Sequence, residues 1–513
     1  MNILRCSLLL LAAPPLASQV PAKVVPGRFL VTYRNGQIPA DANAQIVQSG
    51  LHTRIVASHQ ALGVAIVDTT QPRAAITSAQ DAETRTRLAA QPNVESVVQD
   101  RIVTGHFMPL HNLPNLIPFP TRVPTTGAIN TTVAAPIEAD IFYTLNPQDW
   151  AVKQVGGYGK STPGGPATGP WDVTTGTGIR IAILDSGLDA QHPDLAPNIA
   201  LNLSEIDQTS LSSPCDDGTP QDQQGHGTFS ASLAAGAMGP GTGLMIGVAP
   251  TATLLNIKVL ERMPGAGTTL PAQCNAGQAS GLLSWVLKGI NDAVANHADI
   301  ISLSLGSIID LSTGDGAGLK ATFDSATHAA ANAGVILIAA AGNDGFDLSN
   351  PRYVEIPAQS RDVLTIVATT NPACAQNITP GATCTSGPTS LAYYSNYGTP
   401  LNALSAPGGS YPAGDDYGIS GWVRGACSAG LPNTETGLPD AQHSFGCFNL
   451  GHTQYVQAIG TSASAPLAAG VAALYRAANP TWSAAQVVQA MRNSGIPTSN
   501  VPFPMVTAAP IHP

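Results

Sequence analysis

The sequence predicts an α/β protein: a doubly wound, mostly parallel sheet with helices on both faces, preceded by a small α+β unit. Three observations predict it. Five apolar runs between residues 178 and 370 read as buried strands, helical stretches separate them, and a strand–helix–strand–helix–strand pattern fills residues 27–103. Parallel strands covered on both faces read as near-continuous apolar runs. Their alternation with helices points to parallel crossover units.

The elements follow in order. Residues 1–22 carry one Arg, a short apolar run and then small residues, the layout of a secretory signal peptide. The run is too short to span a bilayer. A cut after Ala22 is expected, with Ala17 or Ser18 as alternatives, so export to an extracellular or periplasmic space is expected. In the α+β unit (residues 23–104), "RFLVTYR" (28–34), "ALGVAIVD" (61–68) and "VESVVQD" (94–100) read as strands. "ADANAQIVQS" (40–49) and residues 74–91 read as helices. Residues 105–145, rich in Pro, Thr and Asn, read as a linker. The larger domain, 146–513, holds the five buried runs: "GIRIAILD" (178–185), "TATLLNIKVL" (251–260), "ADIISLSLG" (298–306), "GVILIAAAGN" (334–343) and "VLTIVATT" (363–370). Helical stretches are 229–238, 280–298 and 319–333. Residues 407–450, Gly-rich and aperiodic, read as a surface insertion held by two cysteines.

Composition narrows the function. The chain is 43% hydrophobic and 11% charged with a net charge of −10, and no basic stripe marks a nucleic-acid partner. No later stretch is long enough for a membrane helix. Cys6 leaves with the signal, so Cys215, Cys274, Cys374, Cys384, Cys427 and Cys447 remain, an even set that favours disulfides in an oxidising compartment. Proximity favours 374–384 and 427–447, leaving 215–274.

Three segments carry chemistry: "AILDSGLDAQHPDL" (182–195), "QGHGTFSASLAAG" (224–236) and "GTSASAP" (460–466). Each alone is ordinary: an Asp closing a strand, a His between glycines, a Ser capping a helix. Together they offer a base-orienting acid, a base and a nucleophile, the set that acyl transfer requires. In a doubly wound sheet such groups meet beyond the carboxyl ends of the strands.

With "AAAGNDG", "YYSNYG" and "SAPG", these segments resemble the subtilisin family of serine peptidases, over most of residues 146–498 and in the chain order Asp, His, Ser. The resemblance implies Ser462 as nucleophile, His226 as general base, Asp185 as its orienting acid and Asn343 as oxyanion donor. It implies Ser304, Leu305 and Gly306 as the strand that pairs with extended substrate. Leu467 and Phe229–Ser232 depart from the family's common residues without touching those groups. "GTSASAP" also occurs in sedolisins, but their acid mechanism has no His where "GHGT" stands.

The N-terminal unit, through "RFLVTYRNG" and "NVESVVQD", resembles the family's propeptide, a ferredoxin-like chaperone that inhibits its own enzyme. The chemistry needs no cofactor. The resemblance implies structural calcium with Asp194 as one ligand, yet the loop 239–250 lacks carboxylates and side-chain amides, and hard cations want several oxygens. The expected function is a secreted, monomeric, autoprocessed serine endopeptidase that forms an acyl-enzyme on protein or peptide substrates with broad specificity. Alternatives are a narrow processing protease, for which Asp216–Asp217 and Asp415–Asp416 are acidic candidates, and a catalytically inactive binding protein of the same fold.

Overall fold

The computed structural model describes residues 23–105, 140–144, 149–160, 167–207, 213–370, 389–399, 401–409, 422–432, 447–450, 453–498 and 501–513. The expected signal peptide and most of the linker lie outside them.

The N-terminal unit is an antiparallel sheet of β1 (Val24–Tyr33), β2 (Thr53–His59), β3 (Val64–Thr69) and β4 (Val94–Gly105), in the order β4-β1-β3-β2. Helices α1 (Ala42–Gln48) and α2 (Ser78–Ala89) cover one face. Thr77 and Gln80 cap α2 reciprocally. Strand β2 was not foreseen. Its residues, Thr-Arg-Ile-Val-Ala-Ser-His, carry no sustained alternation.

Alternate residues of a strand face opposite ways, and here both sets are buried. Phe29, Val31 and Tyr33 pack with Ile46, Val67 and Leu88 inside the unit. Leu30, Ile66 and Val98 instead join a core with Leu283, Val286, Ile290, Leu319 and Phe323 of the larger domain. The second face is therefore an interface. At its centre lies Arg28, 1% exposed. Its guanidinium donates to Asp100 at 2.9 Å, Asp68 at 2.9 Å, Asp207 at 2.6 Å and Ser284 Oγ at 3.0 Å. The first two acids belong to the N-terminal unit. Asp207 and Ser284 belong to the other side.

The same interface buries His59, whose Nε2 has no hydrogen-bond partner. Burial, with Lys288 adding to it and Asp292 opposing, pushes its imidazole down to about 4. A base with a folded pKa below its unfolded 6.5 stabilises above pH 6.5 and loses that stability as pH falls toward 4. Between pH 7.5 and 4.5 the protein is expected to lose about 2–3 kcal/mol more than a His59→Gln variant. Urea unfolding at both pH values measures this, and parallel losses would contradict it.

The larger domain contains, in order, α3 (Ile141–Thr144), α4 (Trp150–Gln154), β5 (Arg180–Asp185), β6 (Ile199–Ser204), α5 (His226–Ala235), β7 (Thr253–Lys258), β8 (Leu260–Arg262), α6 (Leu270–Asn275), β9 (Ala279–Leu282), α7 (Leu283–Ala295), β10 (Ile300–Leu303), β11 (Leu305–Asp310), α8 (Gly314–Asn332), β12 (Ile336–Ala340), β13 (Tyr353–Ile356) and β14 (Val363–Thr370). It continues with β15 (Ser390–Leu391), β16 (Ala403–Pro407), β17 (Val423–Ala426), β18 (Cys447–Leu450), β19 (Thr453–Ala458), α9 (Thr461–Ala478), α10 (Ala484–Asn493), β20 (Ile496–Thr498) and β21 (Val501–Met505).

The main sheet runs β20-β21-β16-β14-β12-β10-β5-β7-β6, with β15 on β14. Its strands from β16 to β6 are all parallel. The doubly wound prediction thus holds. On one side, α5 and α9 pack with Ile181, Ile183, Ile338 and Ile366; on the other, α7 and α8 pack with Leu184, Ile257, Leu303 and Leu337.

Two expectations change. The single strand expected at 298–306 is two: Ile300–Leu303 stays in the parallel sheet, while Leu305–Asp310 leaves it to pair with β13 and β4. Ser304, at the break, is held against Ser462 instead of a neighbouring strand. Residues 407–450 are also not simply a surface insertion. Trp422, Val423, Ala426, Cys427 and Cys447 are buried, and β17, β19 and β18 form a small sheet. Phe229 and Ser232 explain the packing. A side chain at Gly425 would strike the Phe229 ring, and Ser232 Oγ accepts from the Ala426 N–H at 3.0 Å.

Candidate active site

The three chemical segments meet. Asp185 is the last residue of β5, and its Oδ1 lies 2.5 Å from His226 Nδ1. His226 opens α5 after Gly225, whose φ of 102° suits a residue without Cβ. His226 Nε2 lies 2.9 Å from Ser462 Oγ, in the first turn of α9. A proton on Nδ1 facing the carboxylate leaves Nε2 as the acceptor for the serine hydroxyl. Ser464 turns away and donates to Ala406 O, a packing role.

Asn343 follows β12, and its Oδ1 accepts from Thr461 N at 2.9 Å and Thr461 Oγ1 at 2.8 Å. Because the oxygen is engaged, the amide orientation is fixed and its NH2 is the donor end. Asn343 is thereby fastened to the residue before Ser462, at the N-terminal turn of α9, a setting that favours negative charge.

Sequence reasoning missed the residue that fastens this arrangement. Asp222 is buried and accepts from Ser186 Oγ at 2.9 Å, Gln224 N at 2.9 Å, Gly225 N at 2.7 Å, Thr228 N at 3.0 Å and Thr228 Oγ1 at 2.6 Å. Ser186 Oγ in turn accepts from Gly227 N at 2.9 Å. The turn after Asp185 is thereby tied to the helix that starts with His226. Burial pushes the Asp222 carboxyl up against the pull of these donors. An acid four residues before the His was the available signal.

The space between β9 and β11, beside these three side chains, is filled by the chain itself. The end of β4 runs antiparallel between two strands. Ile102, Val103 and Thr104 face Leu282, Gly281 and Ser280 of β9, while Thr104 and Gly105 face Gly306 and Leu305 of β11. Val103 is buried and Thr104 exposed, as strand alternation requires. Ser304 sits at the base of this wall, donating from Oγ to Ser462 O at 3.1 Å. Gly105 lies against the His226 imidazole: a Cβ there would stand 3.3 Å from His226 Cε1 and Nε2. Replacing Gly105 with Val is expected to displace the tail from His226 and, if the chain is a self-cleaving precursor as proposed below, to slow its first cleavage at least about 10-fold. Time-resolved gels of the refolding precursor read the rate, and an unchanged rate would contradict this placement.

The other expected residues fall as follows. Cys215 is joined to Cys274 and Cys427 to Cys447, with Cα separations of 5.2 and 6.1 Å. Cys374 and Cys384 lie outside the described residues. Asp194 is fully buried; its Oδ2 accepts from Tyr455 Oη at 3.0 Å, and a Cβ at Gly243 would collide with its carboxylate. Burial drives its carboxyl well up, and nearby Asp149 and Asp140 add to that. Among the described residues no three His, Cys, Asp or Glu side chains form a group that could hold a metal ion. No step below passes through a metal. Asp216 is spent on buried Lys258 at 2.9 Å and Asp217 on Thr219 in its own loop, whereas Asp415 and Asp416 lie outside the described residues.

Residues 176–504 match the model of the subtilase family, peptidase S8. Thermitase of Thermoactinomyces vulgaris is 36% identical over 184 residues, 36% of this chain and 54% of that protein. Subtilisin NAT of Bacillus subtilis subsp. natto is 30% identical over 313 residues, 61% of this chain and 59% of that one. The chain thus spans little more than half the length of these relatives. Two solved structures share the fold at 18% identity. The epidermin leader peptide processing serine protease of Staphylococcus aureus has a TM-score of 0.61, covering 94% of this chain and 96% of that one. Fervidolysin of Fervidobacterium pennivorans has a TM-score of 0.59, covering 97% and 65%. With nearly two thirds of its length matched by the family and its Asp, His and Ser gathered at one sheet edge, the chain belongs to the subtilases.

Proposed function

We propose that this chain is a secreted serine endopeptidase, made as a precursor whose N-terminal unit inhibits it until the chain cuts itself. The imidazole bridging Ser462 and Asp185 carries this reading. The occupied groove supports the autoinhibited state. In the reaction, His226 Nε2 takes the Ser462 proton as Oγ bonds to the substrate carbonyl carbon. Asp185 holds the imidazolium. The oxyanion accepts from the Asn343 NH2 and from backbone N–H groups of α9. Collapse breaks the C–N bond, Nε2 gives its proton to the leaving amine, and water repeats the sequence in reverse to free the acid and Ser462. Backbone pairing along β9 and β11 tolerates many side chains, which favours broad specificity at the outer positions. The N-terminal run of residues 1–22 and the two disulfides support export, and among the described residues no helix is long and apolar enough to cross a membrane.

A fluorophosphonate probe tests the chemistry: the processed protein should be labelled at Ser462. N-terminal sequencing should find the first cut within two residues after Gly105. Folded, processed protein that resists the probe would favour the inactive binding-protein reading. Asn343→Ala is expected to lower kcat by about 10²–10³-fold with little change in KM, measured on a peptide amide.

A further inference from the structure

Strand β17 and the residues just after it are bonded to the elements that carry Asp185 and His226. A Cβ on Gly425 would stand 2.5 Å from the Phe229 ring, so β17 lies directly against α5, the helix that His226 opens. The Ala426 N–H donates to Ser232 Oγ at 3.0 Å, farther along the same helix. Ser428 is fully buried; its Oγ donates to Asp222 O at 2.5 Å and accepts from Gln221 Nε2 at 3.3 Å. The Ala429 N–H donates to Asp189 Oδ2 at 2.8 Å.

These contacts fall on two turns that are already joined. Asp189 lies in the turn after β5, which ends on Asp185, and Asp222 lies in the turn before His226. The Asp222 N–H donates to Leu188 O at 3.2 Å, and the Asp189 N–H to Thr228 Oγ1 at 3.0 Å. How these turns are held decides how squarely Asp185 faces the imidazole. The segment 425–429 is bonded to both.

That segment is itself fixed. Cys427 stands between Ala426 and Ser428 and is joined to Cys447, where β18 begins. Strand β19 pairs with β17 on one side and β18 on the other, and the Cys427 N–H donates to Gln454 O at 2.8 Å. Its partners on α5, Phe229 and Ser232, bound the stretch that departs from the family's common residues. The contact is therefore not one that the family resemblance implies.

We propose that residues 425–429 brace the catalytic base, with Ser428 as a positioning residue that acts on His226 through Asp222, and with the Cys427–Cys447 bond holding the brace in place. The proposal rests on the endopeptidase reading and deepens it. Loss of the brace loosens the imidazole between Asp185 and Ser462 and slows proton transfer. It leaves β9 and β11, where substrate would pair, untouched.

The test uses the processed enzyme, a peptide amide and a fluorophosphonate whose labelling endpoint counts working sites. Ser428→Ala should lower kcat per labelled site about 10-fold and leave KM within about 2-fold. Labelling should slow in parallel, because it too needs His226 to take the Ser462 proton. The acid limb of kcat/KM should move to lower pH, since an imidazolium less squarely faced by a carboxylate loses its proton more readily. Ser232→Ala, and the pair Cys427→Ala with Cys447→Ala, should each lower kcat about 3- to 10-fold by the same route. Combined with Ser428→Ala, their losses should multiply to less than the product, because they act on one element.

A folded Ser428→Ala enzyme with wild-type kcat, labelling rate and pH profile overturns the proposal, even if it unfolds at lower urea; the contacts would then serve stability alone. If that variant does not fold, Ser232→Ala decides by the same readings. Full multiplication of the losses also counts against a single brace. A wild type that neither labels nor cleaves would instead bring down the endopeptidase reading on which this one stands.

Discussion

Replacing Ser462 with Ala is expected to lower kcat on a peptide amide by about 10⁶-fold and to leave the precursor uncut, its N-terminal unit still attached. The magnitude is that of subtilisin, a relative of this chain, not a value obtained from this one. The reason is geometric. Ser462 Oγ, the proposed nucleophile, lies 2.9 Å from His226 Nε2, and Ser464 has its hydroxyl on Ala406 O. His226→Ala should cost about as much, and the double variant little more, because the two act as one unit. A residual acceleration of about 10³-fold over water should remain from the oxyanion donors and the groove. Active-site titration with single-turnover kinetics reads the first effect; gels and N-terminal sequencing read the second. Normal processing of purified Ser462→Ala would mean that another enzyme makes the cut.

Replacing Arg28 with Met is expected to destabilise the uncut protein by about 3–5 kcal/mol. The side chain is 1% exposed and is shared among Asp68, Asp100 and Asp207. Methionine keeps much of the apolar stem but leaves Asp68 and Asp100, both almost fully buried, without that guanidinium. Burial opposes the charge on Arg28, yet the three carboxylates outweigh it and raise the guanidinium pKa. Arg28→Lys should restore little, because a single ammonium cannot serve three acids placed around a planar fork. The comparison belongs on the Ser462→Ala background, where no cleavage complicates unfolding. Coincident urea midpoints for the single and double variants would show that the cluster adds nothing net.

Much of this was legible in the chain, for identifiable reasons. The strand at 363–370 has the predicted limits, and 334–343 shortens to Ile336–Ala340; buried parallel strands advertise themselves as uninterrupted apolar runs. Asp185, His226 and Ser462 stood out because acyl transfer needs three residue types in adjoining turns, and those turns demand glycines beside them. What stayed hidden depends on long-range placement. Arg28 reads as an ordinary strand residue until Asp207 and Ser284, distant in sequence, are brought to it. The break at Ser304 was invisible because "IISLSLG" reads as one run; in the fold the Ser304 carbonyl accepts from Ser462 Oγ at 3.2 Å.

The pairing of residues 102–105 with both β9 and β11 has a consequence in time. Hydrolysis of the backbone near Gly105 removes one covalent link but none of the ladder bonds, and it leaves the Arg28 cluster untouched. On the precursor reading proposed above, a newly matured molecule would stay plugged by its own severed fragment and become competent only after that fragment dissociates or is digested. Each liberated molecule can destroy the plugs of others. Turnover in a fresh preparation should then follow a sigmoid: a quiet interval, then a steep collective onset that arrives sooner when a trace of already active enzyme is added as seed.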